Sequence, residues 1–179
     1  MKNLKLLSAV LLFLSLAMII QSCKKTNKVD YKIDNQAFVN QASNSNNFEI
    51  AAGILAQTKG ESDLVKQYGQ HMVTDHTTIG TEMAALATRK GWTVPTPADL
   101  QPKEKALLNT LDSVTNGTFD LEFAAIMIDS HQSAVSLFEE ASGGEGASDA
   151  ELRGFAVNKL PTLRTHLEEA RTLQTQLKD

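Results

Sequence analysis

Four stretches of this chain carry apolar residues at every third or fourth position, and each is interrupted once on its apolar side by a residue that resists burial: Glu49, His76, His131 or His166. That period belongs to the α-helix, in which residues i, i+3, i+4 and i+7 share a face. The first stretch covers roughly 35–59, with Phe38, Ala42, Ser45, Glu49, Ala52 and Ala56 on one side and Gly60 as a stop. The second covers about 62–90, capped by Ser62 and ended by Gly91, with the stripe Val65, Tyr68, Met72, His76, Ile79, Met83 and Leu86. The third, about 118–142, turns Phe123, Met127, His131, Ala134 and Phe138 inward. The fourth, about 148–177, turns in Leu152, Phe155, Leu160 or Lys159, Leu163, His166, Ala170 and Leu173, with Ser148 as the expected cap and Glu151 three residues on. Pro161 falls inside this last pattern, where it predicts a kink or the opening of a new helix. An all-α fold follows, in which four helices aim one carboxylate and three imidazoles at a shared interior. Such groups need a partner, a proton or a metal there.

The links set the topology. Helices one and two, and helices three and four, are joined by short turns, the latter built on the Gly-rich GGEGAS segment. Residues 91–117 form a long link with Pro95, Pro97 and Pro102 and a short amphipathic helix near 103–114. Short, long, short is the rhythm of a four-helix bundle with one crossover, and it predicts that the second and third long helices run parallel. His76 and His131 then lie at similar depths.

The amino terminus has a different character. Lys2 and Lys5 precede a mostly apolar run over 6–20, which closes on Ile20-Gln21-Ser22-Cys23. This is the layout of a secretory signal, and the run is shorter than the roughly 20 residues a membrane span needs. Cys23, the only cysteine, stands where the lipobox of bacterial lipoproteins places its lipidated residue, although Gln21 is bulkier and more polar than that motif favours. The resemblance implies that residues 1–22 are removed and that lipid on Cys23 tethers the mature protein to a membrane of the bacterial envelope, facing the periplasm. Residues 23–35 read as a polar tether, and 36–179 as one domain with enough chain for a real core. The net charge is −4, with no basic face interleaved with aromatics, which argues against nucleic acid as a partner. A homo-oligomer is left open.

A weak internal repeat supports the pairing of helices. Met72-Val73-Thr74-Asp75-His76 and Met127-Ile128-Asp129-Ser130-His131 share a methionine four residues before a histidine, with apolar residues following at helical spacing. Taken with FEIAAGILA on the first helix, HQSAVSLFEEA on the third and LPTLRTHLEEA on the fourth, the chain resembles the ferritin-like domain-of-unknown-function family catalogued as number 4142, over about residues 36–177. The resemblance implies an all-helical bundle in a secreted or envelope-anchored bacterial protein, and no established reaction.

The chemistry open to such a core is narrow. Val73, Ile128 and Leu163 stand three residues before the histidines, so the Glu-x-x-His pattern of carboxylate-bridged di-iron proteins is absent. Asp75 and Asp129 adjoin histidines in sequence but point about 100° away on a helix, whereas Glu169 shares the face of His166. Glu49, His76, His131, His166 and Glu169 are thus the candidate set for a single transition-metal ion such as Zn²⁺, Cu²⁺ or Fe²⁺. The competing reading is an internal hydrogen-bonded cluster. His71 lies off the stripe and is expected to face solvent, Met72, Met83 and Met127 are expected as core filler, and the paired glutamates at 139–140 and 168–169 as solvated faces. No nucleophile motif or phosphate-cradling loop is present. Two readings stand: an envelope lipoprotein whose bundle has a non-enzymatic binding or stress-related role, and a metal-binding or redox bundle with a mononuclear His/Glu site.

Overall fold

The computed structural model describes residues 30–114 and 117–178. Cys23, the signal segment and most of the tether lie outside the described residues. Within them there are five α-helices and no strand, with one isolated bridge pairing Ile33 and Ala147. The helices are α1 (Asn35–Lys59), α2 (Asp63–Lys90), α3 (Pro102–Ser113), α4 (Phe119–Ser142) and α5 (Ala150–Gln176), with a single 3₁₀ turn at Pro97–Asp99.

Local chemistry sets most of the ends. Asp34 accepts the Ala37 amide at the start of α1, and Ser62 accepts that of Leu64 at the start of α2. For α5 the cap is Asp149, whose carboxylate takes the amides of Glu151 and Leu152, and not Ser148 as the sequence suggests. Ser148 instead accepts a hydrogen bond from the Asn35 side chain at 2.9 Å and ties the start of α5 to α1. Helix α5 runs unbroken through Pro161, so no new helix opens there. Pro161 stands on the exposed face, where water can meet the backbone carbonyl that the ring leaves without an amide.

Helix α1 packs most closely on α2, and α5 on α4, while α1 also meets α4 and α2 meets α5. The directions follow from the core. One apolar cluster joins Phe38 and Val39 at the start of α1 to Met83 and Leu86 at the end of α2, Phe138 at the end of α4 and Leu152 near the start of α5. A second joins Ala56 at the end of α1 to Val65 at the start of α2, Phe119 and Phe123 at the start of α4 and Leu173 at the end of α5. Helices α2 and α4 therefore point the same way, as the long link predicts, and α1 and α5 point the other. Every stripe residue expected on α2, α4 and α5 is buried, with Leu160 and not Lys159 facing in. Ser45 of α1 is only half-buried.

Helix α1 is unusual in being rich in Asn and Gln, and the crossover explains why. Gln36 exchanges two hydrogen bonds with the Thr93 backbone (2.7 and 2.9 Å), Asn47 donates to the Pro95 carbonyl, and Asn44 accepts the Gln101 amide. The link is stitched along the outer side of α1 while the opposite side faces the core. Gly53 and Gly69 allow α1 and α2 to approach closely, since a Cβ on either would lie 2.7 Å from the other's carbonyl oxygen. One turn before Gly53 on α1 is Glu49, at the level where the two apolar clusters meet.

Candidate metal centre

Between the clusters lies a polar layer. Glu49, His76, His131 and His166, one from each long helix, are at most 1 % exposed. The three imidazole rings form a near-equilateral triangle, with centroids 5.5 Å apart for His76 and His131, 5.2 Å for His76 and His166, and 5.3 Å for His131 and His166. One ligand nitrogen from each ring lies within 4.8 Å of the others.

The outward-facing nitrogen of each ring is held by an acceptor. His131 Nδ1 donates to the Met127 carbonyl at 2.9 Å, one turn back on its own helix. His166 Nε2 donates to Asp75 Oδ2 of α2 at 3.0 Å. His76 Nδ1 donates to Asn46 Oδ1 at 3.1 Å and lies 3.2 Å from Glu49 Oε2. Each acceptor fixes the proton on the nitrogen it faces, and a neutral imidazole then carries its lone pair on the other. Those other atoms are His76 Nε2, His131 Nε2 and His166 Nδ1. They are also the three ring nitrogens that are buried without a hydrogen-bond partner. A buried polar atom without a partner costs about 1–3 kcal/mol, so three facing one another are a marked departure from ordinary core packing.

Charge reinforces the arrangement. Burial pushes the His76 imidazole below its ordinary range, against the pull of Glu49, and burial followed by repulsion from His76 pushes His166 down to about 4. Both rings are therefore neutral at pH 7. Burial alone raises the Glu49 carboxyl, but His76, His131, the Ser130 hydroxyl and His166 together outweigh it and leave the group below its usual value. Ser130 Oγ donates to Glu49 Oε1 at 2.7 Å, and the same oxygen is 3.8 Å from His131 Nε2. The layer thus combines inward lone pairs with a buried anion, which suits a cation. An acceptor holding the far nitrogen of each ring is the outer support that metal-ligating histidines carry.

The fifth candidate lies elsewhere. Glu169 does not join the triad because it stands at the rim of α5, about two-fifths exposed, with Oε2 3.1 Å from His71 Nδ1. His71 is not simply solvent-facing either. Its Nε2 lies 3.1 Å from Asp75 Oδ2, and its ring stacks edge-on against His166 at 5.1 Å. Asp75 points away from its own helix's stripe, as helical geometry requires, but that direction leads to α5 and His166. Asn46 and Ser130 are supporting residues that the sequence pattern does not single out, and Asp75, set aside there because it leaves the histidine stripe, is a third. Tyr68 is a further one, its hydroxyl donating to the His166 backbone carbonyl at 3.0 Å. On the opposite side a groove between α1, the crossover and α4 reaches Ser130, and no histidine lines it.

These features define an all-helical protein with a buried triad of histidines beside a carboxylate. The chain belongs to the family described as Domain of unknown function (DUF4142), whose model matches residues 21–173. Comparison with curated proteins and with solved structures gave no match.

Proposed function

We propose that this protein binds a single transition-metal ion through His76 Nε2, His131 Nε2 and His166 Nδ1, with Glu49 supplying compensating charge. The observation that carries the reading is that each of the three rings keeps one buried nitrogen without a partner, and that one ligand nitrogen from each ring lies within 4.8 Å of the others. Imidazole suits Zn²⁺, Cu²⁺ and Fe²⁺, and three histidines leave one position for Glu49 or a small exogenous ligand. Between a metal site and the internal hydrogen-bonded cluster weighed from sequence, the geometry favours the metal site, because a structural cluster would be expected to satisfy its own nitrogens. Elemental analysis of protein stripped by chelator and reloaded with Zn, Cu, Fe and Mn provides the test. Stoichiometric metal in wild type that is lost in His76→Ala and His131→Ala supports the proposal, and absence of stoichiometric metal in wild type overturns it.

The four long helices are read as a ferritin-like four-helix bundle with one crossover, and the protein as an envelope lipoprotein. The arrangement of helix directions and the short, long, short links support the first part, and the apolar run ending at Ser22-Cys23 supports the second. Metabolic labelling with a fatty acid checks the anchor: wild type should incorporate label and Cys23→Ser should not.

A further inference from the structure

A centre as buried as this triad needs a route by which its ion arrives. A depression between α1 and α2 reaches only Asn46, behind the Nδ1 side of His76, and two other sides lead outward. The groove beside α4 is lined by Ser130 and by the carboxylates Asp99, Glu104 and Asp129, and a cation travelling that way meets no imidazole. Through the α2 and α5 side, ligands continue to the surface.

We propose that His71, Asp75 and Nε2 of His166 form a surface capture site for a divalent transition-metal ion, backed by Glu169 on the far nitrogen of His71, from which the ion passes to the buried triad across the His166 ring. The inference rests on reading the triad as a metal centre. Ligand atoms of His71, Asp75 and His166 lie within 4.8 Å of one another. Asp75 Oδ2 is 3.1 Å from His71 Nε2 and 3.0 Å from His166 Nε2. Atoms sharing one tetrahedral ion at bonds near 2.0–2.1 Å stand about 3.3 Å apart, so the cluster needs little adjustment to close on an ion. Glu169 Oε2 is shielded from solvent and makes no hydrogen bond, although it lies 3.1 Å from His71 Nδ1. It faces the ring nitrogen opposite the one turned to Asp75, so it backs His71 and adds negative charge beside the ligand set. His71 and Glu169 also line a shallow surface depression with Gln67 and Glu168, so an ion in solution reaches them directly.

The two sites share one ring and use opposite nitrogens of it. A neutral imidazole has a single lone pair, so His166 serves one ion at a time. With the ion outside, Nε2 is the ligand and the ring proton sits on Nδ1. With the ion inside, Nδ1 is the ligand and the proton returns to Nε2, where Asp75 accepts it as in the metal-free protein. The transfer moves one ion inward and the ring proton from Nδ1 to Nε2, and nothing is oxidised or reduced. Stoichiometry at equilibrium stays at one ion per chain.

Loading kinetics test the idea. Metal-free mature protein is mixed with cobalt(II) in a stopped-flow instrument and the growth of the visible bands of the bound ion is followed. A charged capture site raises arrival rates by about 10–10³, so His71→Ala and Glu169→Gln should reach the wild-type end point about ten-fold or more slower. Gln41→Ala, on the groove side, should load at the wild-type rate. Two variants guard against misfolding of either one. Wild-type loading rates in both His71→Ala and Glu169→Gln overturn the capture site and leave the triad standing. Failure of wild type to take up stoichiometric cobalt overturns the triad itself, and the capture site with it.

Discussion

Two histidine clusters sit back to back on the ring of His166 and meet burial in opposite ways. Inside, three imidazoles and a carboxylate are shut away from water, and the nitrogens that face one another have no partner. Outside, His71 is about two-fifths exposed and lies within 3.1 Å of a carboxylate oxygen on each ring nitrogen. The residue types are the same. What differs is the source of compensation: at the rim, carboxylates and solvent are at hand, whereas the interior is left incomplete unless something positive occupies it.

The sharpest way to break this contrast is to remove an interior ligand. Zn²⁺ at about 100 times its dissociation constant should stabilise the wild-type protein by about 2.7 kcal/mol, seen as a rise in Tm. His131→Ala should abolish that rise, while His71→Ala, on the outer cluster, should keep it. An equal loss in both variants would mean that the two clusters do not differ as described.

Next in size are the supporting acceptors. Asp75→Asn replaces the carboxylate that orients His166, and Glu49→Gln removes the buried charge while keeping its shape. Each should weaken Zn²⁺ binding by about 10–100-fold in a competition titration against a chromophoric chelator, the usual cost of losing such outer support. Unchanged affinity in Asp75→Asn would show that its bond to His166 has no bearing on the metal.

A pH series on metal-free protein sharpens the comparison further. His166, pushed down to about 4 by burial and by His76, remains neutral in the folded state over a range where the unfolded chain, with an ordinary value of 6.5, takes up a proton. The unfolded state then binds more protons, so stability falls as pH drops from about 6.5 toward 4. The lowered Glu49 carboxyl acts in the same direction below its ordinary 4.5. Thermal melts at pH 7.5 and pH 5 should give the lower Tm at pH 5, and a flat profile would contradict the neutral interior. The smallest effect belongs to the surface: Arg171→Ala removes an exposed pair with Glu168 and should change stability by about 0.5 kcal/mol or less by chemical denaturation.

The stripes of α2, α4 and α5 were legible in sequence because they keep one helical period from end to end, each broken only by its histidine, and the buried set of Glu49 and three histidines followed from the same rule. The N-terminal half of α1 was harder, since its Asn and Gln residues serve a crossover whose path depends on tertiary folding. Asp75 and Asn46 were not legible for a related reason. A helical pattern shows which residues leave their own stripe, but not which neighbouring helix they then meet. Nor did the pattern fix depth, because an error of two to four residues at a helix end moves a side chain by about 3–6 Å along the axis. Glu169 was misplaced for a different reason: three residues on from His166 it is turned about 60° off the stripe, far enough to reach the rim while Ala170 and Leu173 stay buried.

The belt of imidazoles between the two apolar clusters has a mechanical consequence. Without an ion, the midsection is held by hydrogen bonds between neighbouring helices but keeps three inward nitrogens without partners, so it closes less firmly than the apolar clusters above and below it. Amide exchange in the metal-free chain should then report two cooperative units that open separately, and an ion seated at the waist would weld them into one.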